Sequence, residues 1–300
     1  MKEFVHITSF SIEQPNSSGR LNEDAVGFFE DDKKLVAVVI DGGTQMSAIT
    51  TTKTLPLGGY FASTSIINGI KIHFANSNNA KELLLMANDY FSKRLKSRGL
   101  NPNTSDSKNL PTSVSVSVHI DKEKKMASIA QLGDPIVLII SRNGKVKKLF
   151  TQRKCLEDIN GYQLAKKMAE EKNIELRKAL QNQKVAKILV LGRHKENLPD
   201  GSGYGSLNGK ATAKLYVSEE TQPLSELSHI LLLTDGMVPP MKSFFGHPDW
   251  SKVANGILDL GLKRFYEERV FKPKESDSQL IKFPRLKTHD DASCIIISIN

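Results

Sequence analysis

The residues of this chain best suited to chemistry are acids, and they recur in one local setting. "LVAVVIDGGTQ", residues 35–45, is an apolar run that stops on Asp41, with Gly42 and Gly43 behind it. "HILLLTDGM" repeats the arrangement at Asp235 and Gly236. "IAQLGDP" sets Asp134 after a glycine at a strand boundary, and "THDDASCIIISI" sets Asp290 and Asp291 before the last apolar run. "LNEDAVGFF" sets Glu23 and Asp24 at the start of another. A carboxylate at the rim of a core is costly unless a proton, a hydrogen-bond donor or a cation compensates it. One such Asp-Gly is ordinary turn chemistry, but five acidic strand ends in one domain are poorly explained as unrelated turns.

If the strands lie side by side, their ends gather these acids, and repelling carboxylates need cations between them. Hard divalent ions, Mg²⁺ or Mn²⁺, suit an all-oxygen site, and no His or Cys spacing here favours zinc. Two such ions about 3.5–4 Å apart can bridge a water, lower its pKa and direct it at a phosphoryl group. Metal-assisted hydrolysis of a phosphate ester is the reaction class expected.

The elements that must position the acids come in clusters. "EFVHITSFSI", "AVGFFE" and "LVAVVID" are apolar, β-branched runs bounded by polar turns such as "DDKK", which predicts strands. "AKELLLMANDYFSKRLKSRGL" places Leu83, Leu84, Ala87, Tyr90, Phe91 and Leu95 near one face at helical spacing, with Gly99 as a stop. "TSVSVSVHID" sets Val114, Val116 and Val118 against alternating serines, which predicts a half-buried strand. Further strands are predicted around the "RNGK" hairpin, and a helix over 158–187 with Leu164, Ala165, Met168 and Leu176 turned inward. "SHILLLTDGM" reads as a strand, "WSKVANGILDLGLKRFYEER" as a helix and "ASCIIISIN" as a closing strand. Clustered strands with paired helices favour a layered α+β fold around antiparallel sheets over a βαβ alternation. No repeat or low-complexity linker divides the chain, so residues 1–300 read as one domain.

Composition narrows the class. Hydrophobic residues are 39%, charged residues 25%, and no run approaches the roughly 20 apolar residues of a membrane span. The start, "MKEFVHITSFSIEQP", lacks an apolar h-region and a small-residue cleavage site, so a cytoplasmic protein is expected. Cys155 and Cys294 lie far apart, with neither a disulfide framework nor zinc spacing, and the apolar surroundings of Cys294 predict a core position. A net charge of +9 favours anions, phosphorylated partners among them. The lysines are scattered, as in "DKEKK", and read as solvated faces, so no nucleic-acid partner is expected.

Taken in order, "NED", "VVIDGG", "QLGDP", "LLLTDGM" and "HDDAS…III" resemble the metal-dependent PP2C (PPM) protein serine/threonine phosphatases, bacterial members especially. The resemblance runs from about residue 8 to the last strand. It implies a four-layer αββα sandwich, two central antiparallel β-sheets flanked by helices, with a Mn²⁺ or Mg²⁺ centre of two ions and a weaker third at one end. It further implies that Asp41 bridges both metals, that Gly42 offers its carbonyl to one, and that Asp235 and Asp290 hold the first. Glu23 matches a position that helps hold the second, Asp24 one that acts through metal-bound water, and Asp134 one associated with the third. Asp291 matches a supporting position rather than a ligand. Arg20, in "GRLNED", matches the phosphate-gripping arginine, whose fork suits two phosphate oxygens, although it stands one residue closer to the acids than usual.

The match has departures. Gly43 stands where the eukaryotic pattern has a histidine that serves as general acid, which leaves protonation of the alkoxide to a metal-bound water. Pro239 replaces an acid, and "LPTSVSV" replaces a Gly-Thr-Thr. "GSGYGSLNGKAT" fails as a phosphate loop, because the glycine spacing is wrong and Ala211 replaces the Ser or Thr. It reads either as a flexible loop near the substrate entrance, similar to the family's mobile flap, with Gly203, Tyr204 and Gly205 ordering on a phosphopeptide, or equally as a plain surface loop. His119 and His229 read as structural, His289 as a neighbour of the site through Asp290, and Trp250 as the anchor of the last long helix.

The expected activity is that of a monomeric protein serine/threonine phosphatase, in which a hydroxide bridging two metals attacks phosphoserine or phosphothreonine. The alternative is a PP2C-like phosphoprotein-binding or scaffold module with little or no catalysis. A phosphatase for a small phosphorylated metabolite shares the chemistry.

Overall fold

The computed structural model describes residues 5–14, 21–43, 58–151, 156–244 and 246–300. Two five-stranded antiparallel sheets face each other. The first runs β2 (Ala25–Glu30), β3 (Lys34–Gly43), β4 (Thr112–Asp121), β5 (Met126–Leu132), β8 (Ser218–Pro223). The second runs β1 (Val5–Ile12), β10 (Ala292–Ile299), β9 (Leu227–Leu233), β6 (Ile136–Ser141), β7 (Val146–Lys148). Alternate residues of each strand point to opposite faces. Leu35, Ala37 and Val39 of β3 therefore meet Ile230, Leu232, Ile295 and Ile297 between the sheets.

The other face of β3, Val36, Val38 and Ile40, packs under α1 (Gly59–His73) and α2 (Ala80–Lys96). Asn79 opens α2 by accepting from the Glu82 amide at 2.7 Å, and the predicted stop is found where Gly99 takes φ 80°. Across the second sheet lie α6 (Trp250–Leu260), α7 (Leu262–Phe265) and α8 (Lys272–Glu275), the last two joined by a π-helical stretch, Tyr266–Phe271. Three further helices, α3 (Leu156–Lys172), α4 (Leu176–Leu180) and α5 (Gln183–His194), close on a small cluster of Ala165, Met168, Ala179 and Val185. The layers are helix, sheet, sheet, helix, the expected α+β sandwich.

Several local expectations need correction. The serine face of β4 is buried as well as the valine face, because Ser115 donates to the Val39 carbonyl at 3.0 Å and Ser117 to the Ala80 carbonyl at 3.4 Å. Small hydroxyls there let the helices approach the sheet. Helix α1 has no amphipathic signature strong enough to read, since Ser, Thr and Ile crowd it and both Gly59 and Gly69 lie inside. The single helix expected over 158–187 is three, and the one beginning at Trp250 breaks where Gly261 takes φ 74°. Trp250 does pack on the helix–sheet core, with the Lys148 ammonium 5.0 Å from its ring centre. Cys294 is fully buried, whereas Cys155 lies outside the described residues.

Candidate active site

Strand alternation puts Asp41 on the inter-sheet face of β3, where the apolar core ends. Gly42 turns the other way. A Cβ on it would sit 2.3 Å from the Glu23 carbonyl oxygen and 2.6 Å from the Gly59 carbonyl carbon, so glycine alone permits this approach. Glu23 lies between the two, its Oε1 accepting from the Gly59 amide at 3.2 Å at the start of α1. Asp24 is buried, and its Oδ2 accepts from the Thr234 hydroxyl at 2.9 Å. Thr234 Oγ1 in turn accepts from the Ser293 amide at 2.9 Å, tying β9 to β10 beside Asp24.

Asp235 follows Thr234 at the end of β9, and Gly236 brings it close to the last strand. A Cβ at Gly236 would stand 1.8 Å from the Asp291 carbonyl oxygen. Asp291 itself is spent on backbone: its carboxylate accepts from the Gln14 amide at 2.6 Å and the Glu23 amide at 2.7 Å. That is the supporting role expected of it. Asp134 ends the β5–β6 turn, and Asp290 precedes β10.

Electrostatics show that these acids are neighbours. Loss of hydration pushes the Asp41 carboxyl well above the usual range, helped by the charges of Asp24, Asp235, Asp134 and Asp290. Burial raises Asp24 strongly as well, against the hydrogen bonds of Thr234 and Ser293. Asp235 is raised by desolvation and by Asp290, and accepts a hydrogen bond from Asp41, while Lys287 and Lys274 pull it down. Solvent reaches Asp134, yet the surrounding protein thins its hydration and, with Asp235, pushes it up to about 7. Asp134 and Asp235 thus reach water while protein crowds all four acids.

An all-carboxylate set under mutual repulsion is the donor chemistry a hard divalent cation fits. Among the described residues, no three His, Cys, Asp or Glu side chains stand grouped as a metal would need. Glu23 is held by Gly59, Asp24 by Thr234, and Asp290 by the Lys287 ammonium at 3.0 and 2.9 Å. Arg20 lies outside the described residues.

Some neighbours escaped sequence reasoning. Gly43 leaves a gap in which Arg193 Nη1 lies 2.9 Å and Thr112 Cγ2 2.4 Å from where a Cβ would be, so a histidine there would have to displace both side chains. Arg193 pairs with the buried Glu196 at 2.7 Å, and Glu196 also accepts from Thr112, Ser206 and Tyr204. That network corrects the flap expectation. Tyr204 is bonded without a phosphopeptide, and Ser113 and Leu207 exchange backbone hydrogen bonds at 3.1 and 2.7 Å. His289 turns away from the acids to Glu275 at 2.7 Å. His119 is buried against the Ser77 carbonyl, a structural place as expected.

No protein-family model matches the chain, and no curated protein matches its sequence. Solved structures do match its fold. A bacterial serine phosphatase does so with a TM-score of 0.53 at 15% identity, over 99% of this chain and 98% of that one. RsbX in complex with magnesium follows at 0.50 and 12%, over 100% and 98%. The catalytic domain of the serine/threonine protein phosphatase PstP, in complex with 2 manganese ions, matches at 0.50 and 10%, over 98% of each chain. The two-sheet sandwich with flanking helices is thus a fold shared with solved serine and serine/threonine phosphatases. No helix among the described residues is long and apolar enough to cross a membrane.

Proposed function

We propose that this chain is a Mn²⁺- or Mg²⁺-dependent phosphoprotein phosphatase, acting on phosphoserine or phosphothreonine as a cytoplasmic, single-domain monomer. The observation that carries the reading is the group of raised, mutually repelling carboxylates, Asp24, Asp41, Asp134 and Asp235, in the fold of serine/threonine phosphatases. Glu23, Asp24, Asp41, the Gly42 carbonyl, Asp134, Asp235 and Asp290 are the groups we assign to two ions and a weaker third. Bound there, such ions would lower the pKa of a water shared between them for attack on phosphorus and neutralise phosphoryl charge.

The chain's own residues do the positioning. Asp291 fixes the backbone of Glu23, and Thr234 aims Asp24. Gly42 and Gly236 let backbone close in where a side chain would block it. Arg20 is assigned to orient the phosphate by a bidentate grip.

The test is hydrolysis of p-nitrophenyl phosphate with Mn²⁺, Mg²⁺ or EDTA. Turnover should need metal and drop at least about a hundredfold in Asp41→Asn, as expected for loss of a group that stabilises the reacting charge. Near-normal rates in a folded Asp41→Asn protein would refute the assignment. One observation favours the alternative of a phosphoprotein-binding module: Lys287 neutralises Asp290. No turnover with either metal, together with binding of a phosphothreonine peptide, would move the reading there.

A further inference from the structure

Lys287 is no casual surface lysine. It lies between two anchors of the segment that leads into β10. On one side Arg285 donates to Asp277 Oδ2 and to the carbonyls of Lys274, Asp277, Phe283 and Thr288, at 2.7 to 3.1 Å. On the other, buried His289 is paired with Glu275 at 2.7 Å. Held between them, the Lys287 ammonium meets both oxygens of Asp290, at 3.0 and 2.9 Å. Its charge also acts on Asp235 and Asp41.

With both Asp290 oxygens engaged by the ammonium, a divalent ion that takes this carboxylate meets a like charge a few ångströms away, and the repulsion favours withdrawal of the lysine. The Lys287 side chain is 42% exposed, so its flexible stem can swing into solvent. Lys274 differs, being 9% exposed with its ammonium 3.4 Å from the Gly236 carbonyl oxygen, and it has no such exit.

We propose that Lys287 is the resident counter-cation of Asp290, and that a divalent ion takes Asp290 only by displacing it. This rests on the reading of the acids as metal ligands. The lysine then sets how much free metal the centre needs before it fills, and it holds the acidic ends together until then.

The experiment is calorimetric titration of the full chain with Mn²⁺ alone, in the wild type, Lys287→Gln, Lys287→Arg, Asp290→Asn and the Asp290→Asn/Lys287→Gln double variant. Lys287→Gln should bind Mn²⁺ roughly 1.5- to 5-fold more tightly, the range for loss of a partly exposed ion pair. Lys287→Arg keeps the charge and should stay at or below wild-type affinity. In the Asp290→Asn background Lys287→Gln should tighten binding less than in the wild type, since only its longer-range action on Asp235 and Asp41 remains. Wild-type binding that Lys287→Gln leaves unchanged or weakens would overturn the proposal and leave the metal reading standing. So would equal tightening with and without Asp290, which would reduce Lys287 to general surface charge. Silence in every variant would overturn both.

Discussion

Asp41, Asp134 and Asp235 were legible by recurrence rather than singly, because each sets beside an apolar run a charge that burial makes costly. Lys287 was not legible, although it stands three residues before Asp290, because sequence alone does not tell an inward ammonium from a solvated one. The raised carboxyls carry a consequence for stability. A folded-state pKa above the unfolded value means that the native protein holds more protons between the two, so stability falls as pH rises through that window. For Asp134 the window runs from its ordinary value of 3.8 up to about 7. The metal-free melting temperature should therefore decline from about pH 5 to about pH 8, and Asp134→Asn should flatten the decline. Saturating Mn²⁺ should do the same. A slope unaltered by Asp134→Asn in thermal scans would contradict the crowding deduced for that acid.

At the scale of elements, strand ends were easier to read than helices. The Asp-Gly pair after β9 announced where that strand stops, whereas β3 runs on through Asp41 and Gly42 to Gly43; the alternation of β4 announced a strand, but its serines suggested a wet face that α1 and α2 in fact cover. Helix α1 was hard to read for a physical reason: its buried face mixes the large Phe61, Ile66 and Ile70 with Gly59, Ala62, Ser63, Ser65 and Gly69, so small and polar residues break the apolar stripe. Gly69, for instance, would place a Cβ 2.9 Å from the Ala87 Cα of α2. Close approach also governs the β9–β10 corner. Gly236→Ala should destabilise the protein by about 3 kcal/mol or more, since its Cβ meets backbone 1.8 Å away that cannot rotate aside. Urea unfolding checks this, and a loss below about 0.5 kcal/mol would mean that the corner is looser than described.

For the whole molecule, clustered strands and paired helices forecast a layered α+β fold, and the resemblance carried by the ordered acidic motifs supplied the two-sheet sandwich. The net charge of +9 adds a property of the entire surface. An acidic phosphopeptide should lose several-fold in kcat/KM between about 0.05 and about 0.3 M salt, chiefly through KM, as screening shortens the reach of those charges. A KM indifferent to salt would remove surface charge from substrate choice. The central claim, that the converged acids serve metal-dependent phosphate hydrolysis, is tested most directly by inorganic phosphate release from a phosphothreonine peptide. The purified chain would be assayed with Mn²⁺, with EDTA, and as Asp41→Asn with Mn²⁺. Release with Mn²⁺ alone, lost on chelation and in the variant, is the predicted result. Release that persists in EDTA, or in a folded Asp41→Asn protein, would contradict it.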